Sequence, residues 1–322
     1  MSTLARIGIV GCGGIAPTHA ERFGNKVRSE LVACCDIVRE RAEKLAGSYS
    51  ARAYGDLTQM LENEDLDAIS LCTPPFSHCE VALAALEHGV HIFCEKPLAM
   101  SVAEGRRMAE AADRAGKALM VAMCHRFHEP VIRAREMIRS GQLGEVLVYH
   151  NDFSGGEPQY SGRGGVLMDN GAHSLDLVRY LLGEVKTVAA VGGPATDAIQ
   201  DLGDACILLE TVGGAYATVN LTFRTCGGRA LIDILGTEGS VSIDYGRGGM
   251  EVCRPGEWWK HTDIDLPPSH RFDREIDRFL DCVLEGAAPD PDAREGLRCL
   301  ELQEAAFRAV QTGQTQRVGD SA

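Results

Sequence analysis

This chain of 322 residues has no apolar run long enough to span a bilayer, no C-x-x-C pair among its 12 cysteines, no internal repeat and no low-complexity tract. Each absence removes a class of protein. A transmembrane helix needs about 20 apolar residues in succession, so no membrane partner is expected. The first residues hold no signal-peptide core either, because a strand pattern begins almost at once, at residue 4. Positive charge is scarce: 32 Lys and Arg stand against 46 Asp and Glu, a formal net charge of −14. Nucleic-acid binders need a cationic face, so a phosphate-backbone partner is not expected. Without paired cysteine spacing there is neither a zinc site nor a disulfide framework. Cys34, Cys72, Cys94, Cys206 and Cys282 fall in apolar strand or helix patterns and read as buried, reduced thiols of a cytoplasmic protein.

The most informative stretch that is present lies at the start. Ile7-Gly8-Ile9-Val10 reads as a buried strand, and Gly11-Cys12-Gly13-Gly14-Ile15-Ala16 follows it as G-x-G-x-x-A. Between a strand and a helix this pattern marks a dinucleotide site. Gly11 makes the tight turn, Gly13 lets backbone N–H groups approach a pyrophosphate, and the small Ala16 lets the helix pack on the strand. The helix N-terminus then presents partial positive charge to the phosphates. A second strand at 30–35 ends in Asp36, roughly 20 residues on, where a carboxylate meets the adenosine ribose.

Strand and helix patterns alternate as far as residue 124. Strands read at 4–10, 30–35, 51–54, 67–72, 90–94 and 118–123, and helices at 15–24, 38–47, 56–63, 77–88 and 102–115. Ser101 and Glu104 form a capping box for the last helix. This alternation predicts an α/β Rossmann domain, a parallel sheet with its ligand site beyond the carboxyl ends of the strands. Past residue 130 the texture changes. Helices read at 131–140 and 168–182, and strands at 145–153, 185–191, 204–212, 215–224, 230–235, 240–244, 250–254 and 260–265. Gly213-Gly214 reads as a hairpin turn. Helices at 272–285 and 293–312 close the chain and can return to the first domain. The expectation is a dinucleotide-binding domain over 1–124, then an α+β domain over 125–322 with an open, mostly antiparallel sheet.

The loops at the carboxyl ends of the first six strands carry the candidate chemistry. Thr73-Pro74-Pro75 fixes an extended turn suited to the nicotinamide ribose, or a rigid loop without a ligand. His78 reads as a cofactor contact or a helix cap. Glu95-Lys96-Pro97 ends an apolar strand. Lys96 can aim an ammonium at a substrate oxygen, or the two charges form a surface ion pair. Further on, Asp169 and His173 stand at i and i+4, on one side of a helical turn behind Gly164-Gly165. His173 suits proton exchange near neutral pH, with Asp169 orienting it or binding a substrate hydroxyl. The alternative is a helix-surface ion pair beside an exposed Asp176. His125 and His128 have no third ligand at compatible spacing, so no metal is expected. Arg126 reads as a substrate or cofactor contact at the domain seam. Tyr160 and Arg163 are candidate substrate contacts, and Trp258-Trp259 reads as packing or an oligomer surface.

Together GIVGCGGIA, CTPPFSH, CEKP, GGVLMDNGAHSLDLVRYLLG and REGLRCLELQEAAFRA resemble the Gfo/Idh/MocA oxidoreductases over nearly the whole chain. The resemblance implies Lys96, Asp169 and His173 as the catalytic set. It implies NAD, less so NADP, held by Gly11, Gly13, Gly14, Ile15, Asp36, Thr73, Pro74, Pro75, His78, Glu95 and Lys96. It also implies a homodimer or homotetramer formed through the second-domain sheet. The chain departs from many members at His125, where they carry Asn. The reaction it implies is hydride transfer from a secondary alcohol of a sugar, polyol or cyclitol, with Lys96, Asp169 and His173 facing the substrate; Arg126, Tyr160 and Arg163 join them as candidate contacts by their place in the chain alone. Two other readings fit the same sequence: a non-redox, NAD-using enzyme resembling some glycosidases, and a non-catalytic sensor of dinucleotide or sugar.

Overall fold

The computed structural model describes residues 4–155, 165–193, 199, 202–245, 248–257 and 260–319. Tyr160, Arg163, Gly164 and the Trp258-Trp259 pair lie outside them.

Six strands, β1 (Ala5–Val10), β2 (Ser29–Cys35), β3 (Arg52–Tyr54), β4 (Ala68–Leu71), β5 (His91–Glu95) and β6 (Leu119–Ala122), form a parallel sheet in the order β3-β2-β1-β4-β5-β6. Their nearly unbroken apolar runs suit strands covered on both faces. The crossover helices are α1 (Ala16–Gly24), α2 (Arg39–Gly47), α3 (Leu57–Asn63), α4 (His78–Glu87) and α5 (Val102–Ala115). The strand order reverses between β1 and β4, so the crevice that receives a ligand opens at their carboxyl ends. At α5 the Ser101 hydroxyl accepts from the Glu104 N–H, but the Glu104 carboxylate accepts from Met100 rather than Ser101, so the capping box closes one residue early.

The chain divides into two units, residues 1–123 with 272–300 and residues 124–271 with 301–322. Beside the expected division at 124/125, residues 272–300 group with the first unit, the return left open for the closing helices. The cause is α9 (Arg271–Glu285), a strongly amphipathic helix whose Phe279 packs against Phe23 and Phe93 of the first unit. The last helix, α10 (Ala293–Thr312), gives its first half to the first unit and its second half to the other.

The second unit is built on nine strands, β7 (Val146–Ser154), β8 (Val185–Gly193), β9 (Asp204–Thr211), β10 (Tyr216–Thr222), β11 (Arg229–Gly236), β12 (Gly239–Asp244), β13 (Gly249–Cys253), β14 (Thr262–Asp263) and β15 (Gln316–Arg317). Their order is β14-β13-β12-β11-β7-β10-β9-β8-β15, antiparallel at every pairing but β7 with β10. The expected strand at 260–265 shrinks to Thr262–Asp263. One sheet face carries Ile207, Leu209, Val219, Leu221, Ile232 and Ile234 into the core. The period of two puts Cys206, Leu208 and Glu210 of β9 on the other face, so Cys206 is exposed rather than the buried thiol expected from its apolar neighbours. Besides the second half of α10, the described residues of this unit form the helices α6 (Glu129–Arg139), a single turn α7 (Gly165–Met168) and α8 (Asn170–Leu182).

Candidate active site

At the carboxyl edge of the parallel sheet, Gly11 leaves β1 with φ +86°, and a Cβ there would meet the Thr73 backbone nitrogen at 2.6 Å. Only glycine fits that turn. Added Cβ atoms on Gly13 or Gly14 would meet nothing within 4 Å among the described residues, so the backbone lies bare on the side where a pyrophosphate would rest. Ile15 caps α1 without a side-chain hydrogen bond, and the first turn of α1 has no acidic residue, so its positive end is left for a ligand anion. Asp36 is fixed from both sides: the Cys12 N–H donates to Oδ2 at 2.7 Å and the Val38 N–H to Oδ1 at 2.8 Å. These features fit a dinucleotide, with Asp36 free to accept further hydrogen bonds on its remaining lone pairs.

Thr73, Pro74 and Pro75 form the next rim. The Ser77 hydroxyl donates to Thr73 Oγ1 at 2.8 Å, which tightens the turn. His78 opens α4 fully buried, with Nε2 2.8 Å from the Thr73 carbonyl and Nδ1 3.0 Å from the Pro97 carbonyl. It ties the CTPP and EKP loops together through their backbones, and burial pushes its pKa down. Lys96 follows β5 at the same edge. Its own N–H donates to Glu95 Oε2 at 3.1 Å.

In the second unit, Asp169 is not on the helix that carries His173. Its φ of −89° and ψ of −84° break the expected 168–182 helix into α7 and α8, and Asp169 becomes the N-cap of α8. The pair therefore stands at the entry to α8 rather than along a continuous helical face, both side chains largely buried. The His173 ring stacks on His125, centroids 4.0 Å apart and planes within 5°. His125 also stacks on Tyr245 at 5.1 Å and tilts against Phe153 at 5.5 Å. His128 stacks on the other part of Tyr245 at 4.5 Å and meets Ser269 Oγ at 2.6 Å through Nδ1. Burial and the Arg271 charge push His128 down to about 4.

Cys124, His125 and His173 bring ligand atoms within 4.8 Å of one another. Imidazole lone pairs lie in the ring plane, so an ion shared by two parallel stacked rings would sit out of plane for both. The geometry gives no reason to place a metal there.

Arg126 is engaged with the buried Asp176, Nε donating to Oδ2 at 2.8 Å and Nη2 to Oδ1. Asp176 is thus not the exposed residue expected beside His173. Arg126 and Arg135 both lie against the Tyr180 ring, at 4.9 and 3.6 Å. This cluster locks α8, which carries His173, to the segment after β6.

Phe153 and Tyr245 escaped the sequence reading because nothing in their local pattern separates them from ordinary sheet residues. His19 had a readable signal: it is the one polar side chain in the buried stripe Ala16, His19, Ala20, Phe23 of α1.

A bare-backbone cradle of this kind on a parallel sheet defines a dinucleotide-binding protein. Residues 5–123 match the oxidoreductase family with an NAD-binding Rossmann fold, and residues 135–318 match that family's C-terminal alpha/beta domain. The chain belongs to the Gfo/Idh/MocA oxidoreductase family. It is 30% identical to inositol 2-dehydrogenase 4 of Saccharopolyspora erythraea, covering 96% of this chain and 94% of that protein. Inositol 2-dehydrogenase of Rhizobium meliloti is 29% identical, over 95% of this chain and 96% of its own. The crystal structure of the WlbA dehydrogenase from Bordetella pertussis, in complex with NADH and UDP-GlcNAcA, superposes with a TM-score of 0.88 at 25% identity over 99% of both chains. Among the described residues no helix is long and apolar enough to cross a membrane.

Proposed function

We propose that this chain oxidises a secondary alcohol of a cyclitol, sugar or sugar derivative with NAD. The observation that carries the reading is Lys96 at the carboxyl end of β5, on the sheet edge that also holds the Gly11–Ile15 turn, Asp36 and the Thr73-Pro74-Pro75 rim. Those residues would hold NAD, with His78 and Glu95 supporting the rim and Lys96. NAD, when bound, supplies the hydride acceptor. His173 takes the hydroxyl proton as a neutral imidazole, and Asp169 at the α8 N-cap orients His173 and a substrate hydroxyl. The Lys96 ammonium stabilises the oxygen as it becomes alkoxide-like, a charge that acts more strongly on the reacting state than on the neutral alcohol. Arg126 serves this site by fixing α8 through Asp176, and Tyr160 and Arg163 are further candidates for substrate contact. The relatives named inositol 2-dehydrogenase favour a cyclitol, and the neighbour that binds UDP-GlcNAcA keeps nucleotide sugars in the range.

The outer face of the nine-stranded sheet exposes Leu208, Tyr216 and Leu235, a patch suited to a second copy of the chain in a homodimer or homotetramer. Twelve free thiols suit a reducing cytoplasm. The test is a panel of cyclitols, aldoses, uronic acids and nucleotide sugars with NAD, read at the NADH absorbance. Substrate-dependent NADH is expected. Glycoside cleavage without net NADH would replace this reading with the non-redox one, and tight NAD binding with neither activity would favour a sensor.

A further inference from the structure

The first unit holds a cavity of about 390 Å³ at the amino ends of β5 and β6, the edge of the sheet opposite the candidate NAD site. The starts of both strands line it, with the last turns of α5 and α9 and the stretch 286–294 that leads into α10. Its floor is Ala109, Ala112, Leu119, Cys282 and Ala293, all buried. Side chains this small leave room that larger ones would fill. The two carboxylates of the rim are engaged. Asp113 accepts from Arg294 Nη2, and Asp292 Oδ1 accepts the Glu295 N–H at 2.8 Å in the first turn of α10. Two donors are not engaged. The Lys117 ammonium has no carboxylate partner among the described residues. Its stem lies over the turn before β5, since a Cβ on Gly89 would come 3.8 Å from Lys117 Cε. His91 Nδ1 accepts the Ala118 N–H at 3.0 Å, so that nitrogen carries no proton and the ring N–H is on Nε2. Nε2 has no hydrogen-bond partner among the described residues. Burial and the Lys117 ammonium push the His91 pKa down, in accord with a neutral ring.

We propose that this cavity is a binding site for a small organic monocarboxylate, its apolar body on the alanine floor and its carboxylate on Lys117 and the His91 Nε2–H. The head group follows from the donors. Both free polar groups give hydrogen bonds and neither accepts one, so the ligand must bring the acceptor. An ammonium calls for a charged acceptor, and a charge-assisted bond is about twice as strong as a neutral one. The limit of one charge follows from the rim. Asp113 is balanced by Arg294, which leaves Lys117 as the cation that answers a ligand. A second negative charge would meet Asp113 and Asp292 with no further cation to offset them. The volume lies toward the small end of ligand pockets, about 300–1,000 Å³, and the floor offers no hydrogen bond to a polar body. The cavity is separate from the proposed reaction, because Lys96 follows the opposite end of β5.

The test uses the full chain with NAD in excess, which keeps the carboxyl edge of the sheet covered. The probe is para-fluorobenzoate, with para-fluorobenzamide as its neutral match, and binding is read by fluorine NMR titration. The benzoate should bind at least about tenfold more tightly than the benzamide, and inorganic phosphate should not displace it. Lys117→Gln removes the ammonium from a half-exposed position and breaks no bond within the described residues, so it should fold as the wild type does. It should weaken the benzoate at least about tenfold. In His91→Asn the side-chain oxygen can still accept the Ala118 N–H while the Nε2–H is gone, and affinity should fall about threefold or more. Lys96→Met should bind the benzoate as the wild type does, since that residue lies at the other edge of the sheet. Equal affinity in wild type and Lys117→Gln would overturn the proposal, as would equal affinity for benzoate and benzamide. Loss of binding in Lys96→Met would move the probe to the carboxyl edge and overturn it too, and so would an absence of binding up to about 10 mM probe. Turnover does not enter the readout, so the result stands whether or not the dehydrogenase reading does.

Discussion

His19 and His128 are both buried, one in each unit, and the molecule holds them in opposite states. His19 faces a carboxylate and a thiol and is pushed well above the ordinary histidine range. His128 faces Tyr245, Ser269 and the Arg271 charge and is pushed down to about 4. The carboxyl edge of the parallel sheet sets His19 and Glu95 3.1 Å apart. The aromatic corner beside His173 sets burial and a neighbouring positive charge against the proton of His128.

The two histidines also tie stability to pH with opposite signs. His128 binds its proton in the unfolded chain near 6.5 but in the folded one only near 4, so folding stability falls as pH drops through that window. His19 contributes stability that is fully present below 6.5 and lost as pH rises through its raised folded value. Glu95, lowered from 4.5, adds a contribution present above that value and lost as pH falls through its folded one.

The largest effect is expected at the proposed proton acceptor. His173→Ala should lower kcat by on the order of 10²–10⁴ and leave the Kd for NAD nearly unchanged. Near-normal turnover would break the comparison, because proton removal would then not depend on that corner. Next comes the frame that holds it. Arg126→Met leaves Asp176 buried without its partner and should cost about 3–5 kcal/mol in urea unfolding. A loss under about 1 kcal/mol would mean α8 does not depend on the pair. On the charged side, Lys96→Met should lower kcat by on the order of 10²–10³ with NAD binding retained. Lys96→Arg should lose less than Lys96→Met, since it keeps the charge but misplaces it. Loss of NAD binding alone would reassign Lys96 to the cofactor.

The contrast also explains what could be read without the structure. The candidate residues of the first unit lie on loops of consecutive residues, so GCGGIA, CTPP and CEKP each carry a complete local message. The second brings together His125, Phe153, His173 and Tyr245, residues up to 120 positions apart whose stacking has no local signature. Asp169 and His173 were visible as a spacing, but the helix break at Asp169 depends on backbone angles that an i, i+4 pattern cannot report. The return of 272–300 to the first unit follows from one amphipathic helix finding the Phe23–Phe93 surface, a tertiary choice that periodicity leaves open.

A smaller effect sharpens the histidine comparison directly. His128→Gln removes the group whose proton uptake destabilises the fold in acid. Between pH 7.5 and 5 the wild type should lose about 2 kcal/mol more than the variant, from a shift of 6.5 to about 4. Parallel urea curves for the two proteins across that range would show that His128 is not held neutral.

The smallest expected effect tests whether the charged edge also selects its cofactor. Asp36 is largely buried, and the Cys12 and Val38 N–H groups fix both of its oxygens. A carboxylate held this way can accept from a ribose hydroxyl and repels a 2′-phosphate. Arg39 and Arg41 lie close in sequence and work the other way, though Arg39 is already paired with Glu43 at 2.9 Å. The balance favours NAD over NADP by about tenfold in kcat/KM, equivalent to about 1.4 kcal/mol. Asp36→Ser should narrow that ratio by removing the repulsion while keeping a small acceptor. Equal efficiency with both cofactors in the wild type would show that the arginines outweigh Asp36, and an unchanged ratio in Asp36→Ser would show that the carboxylate serves only to hold the glycine turn.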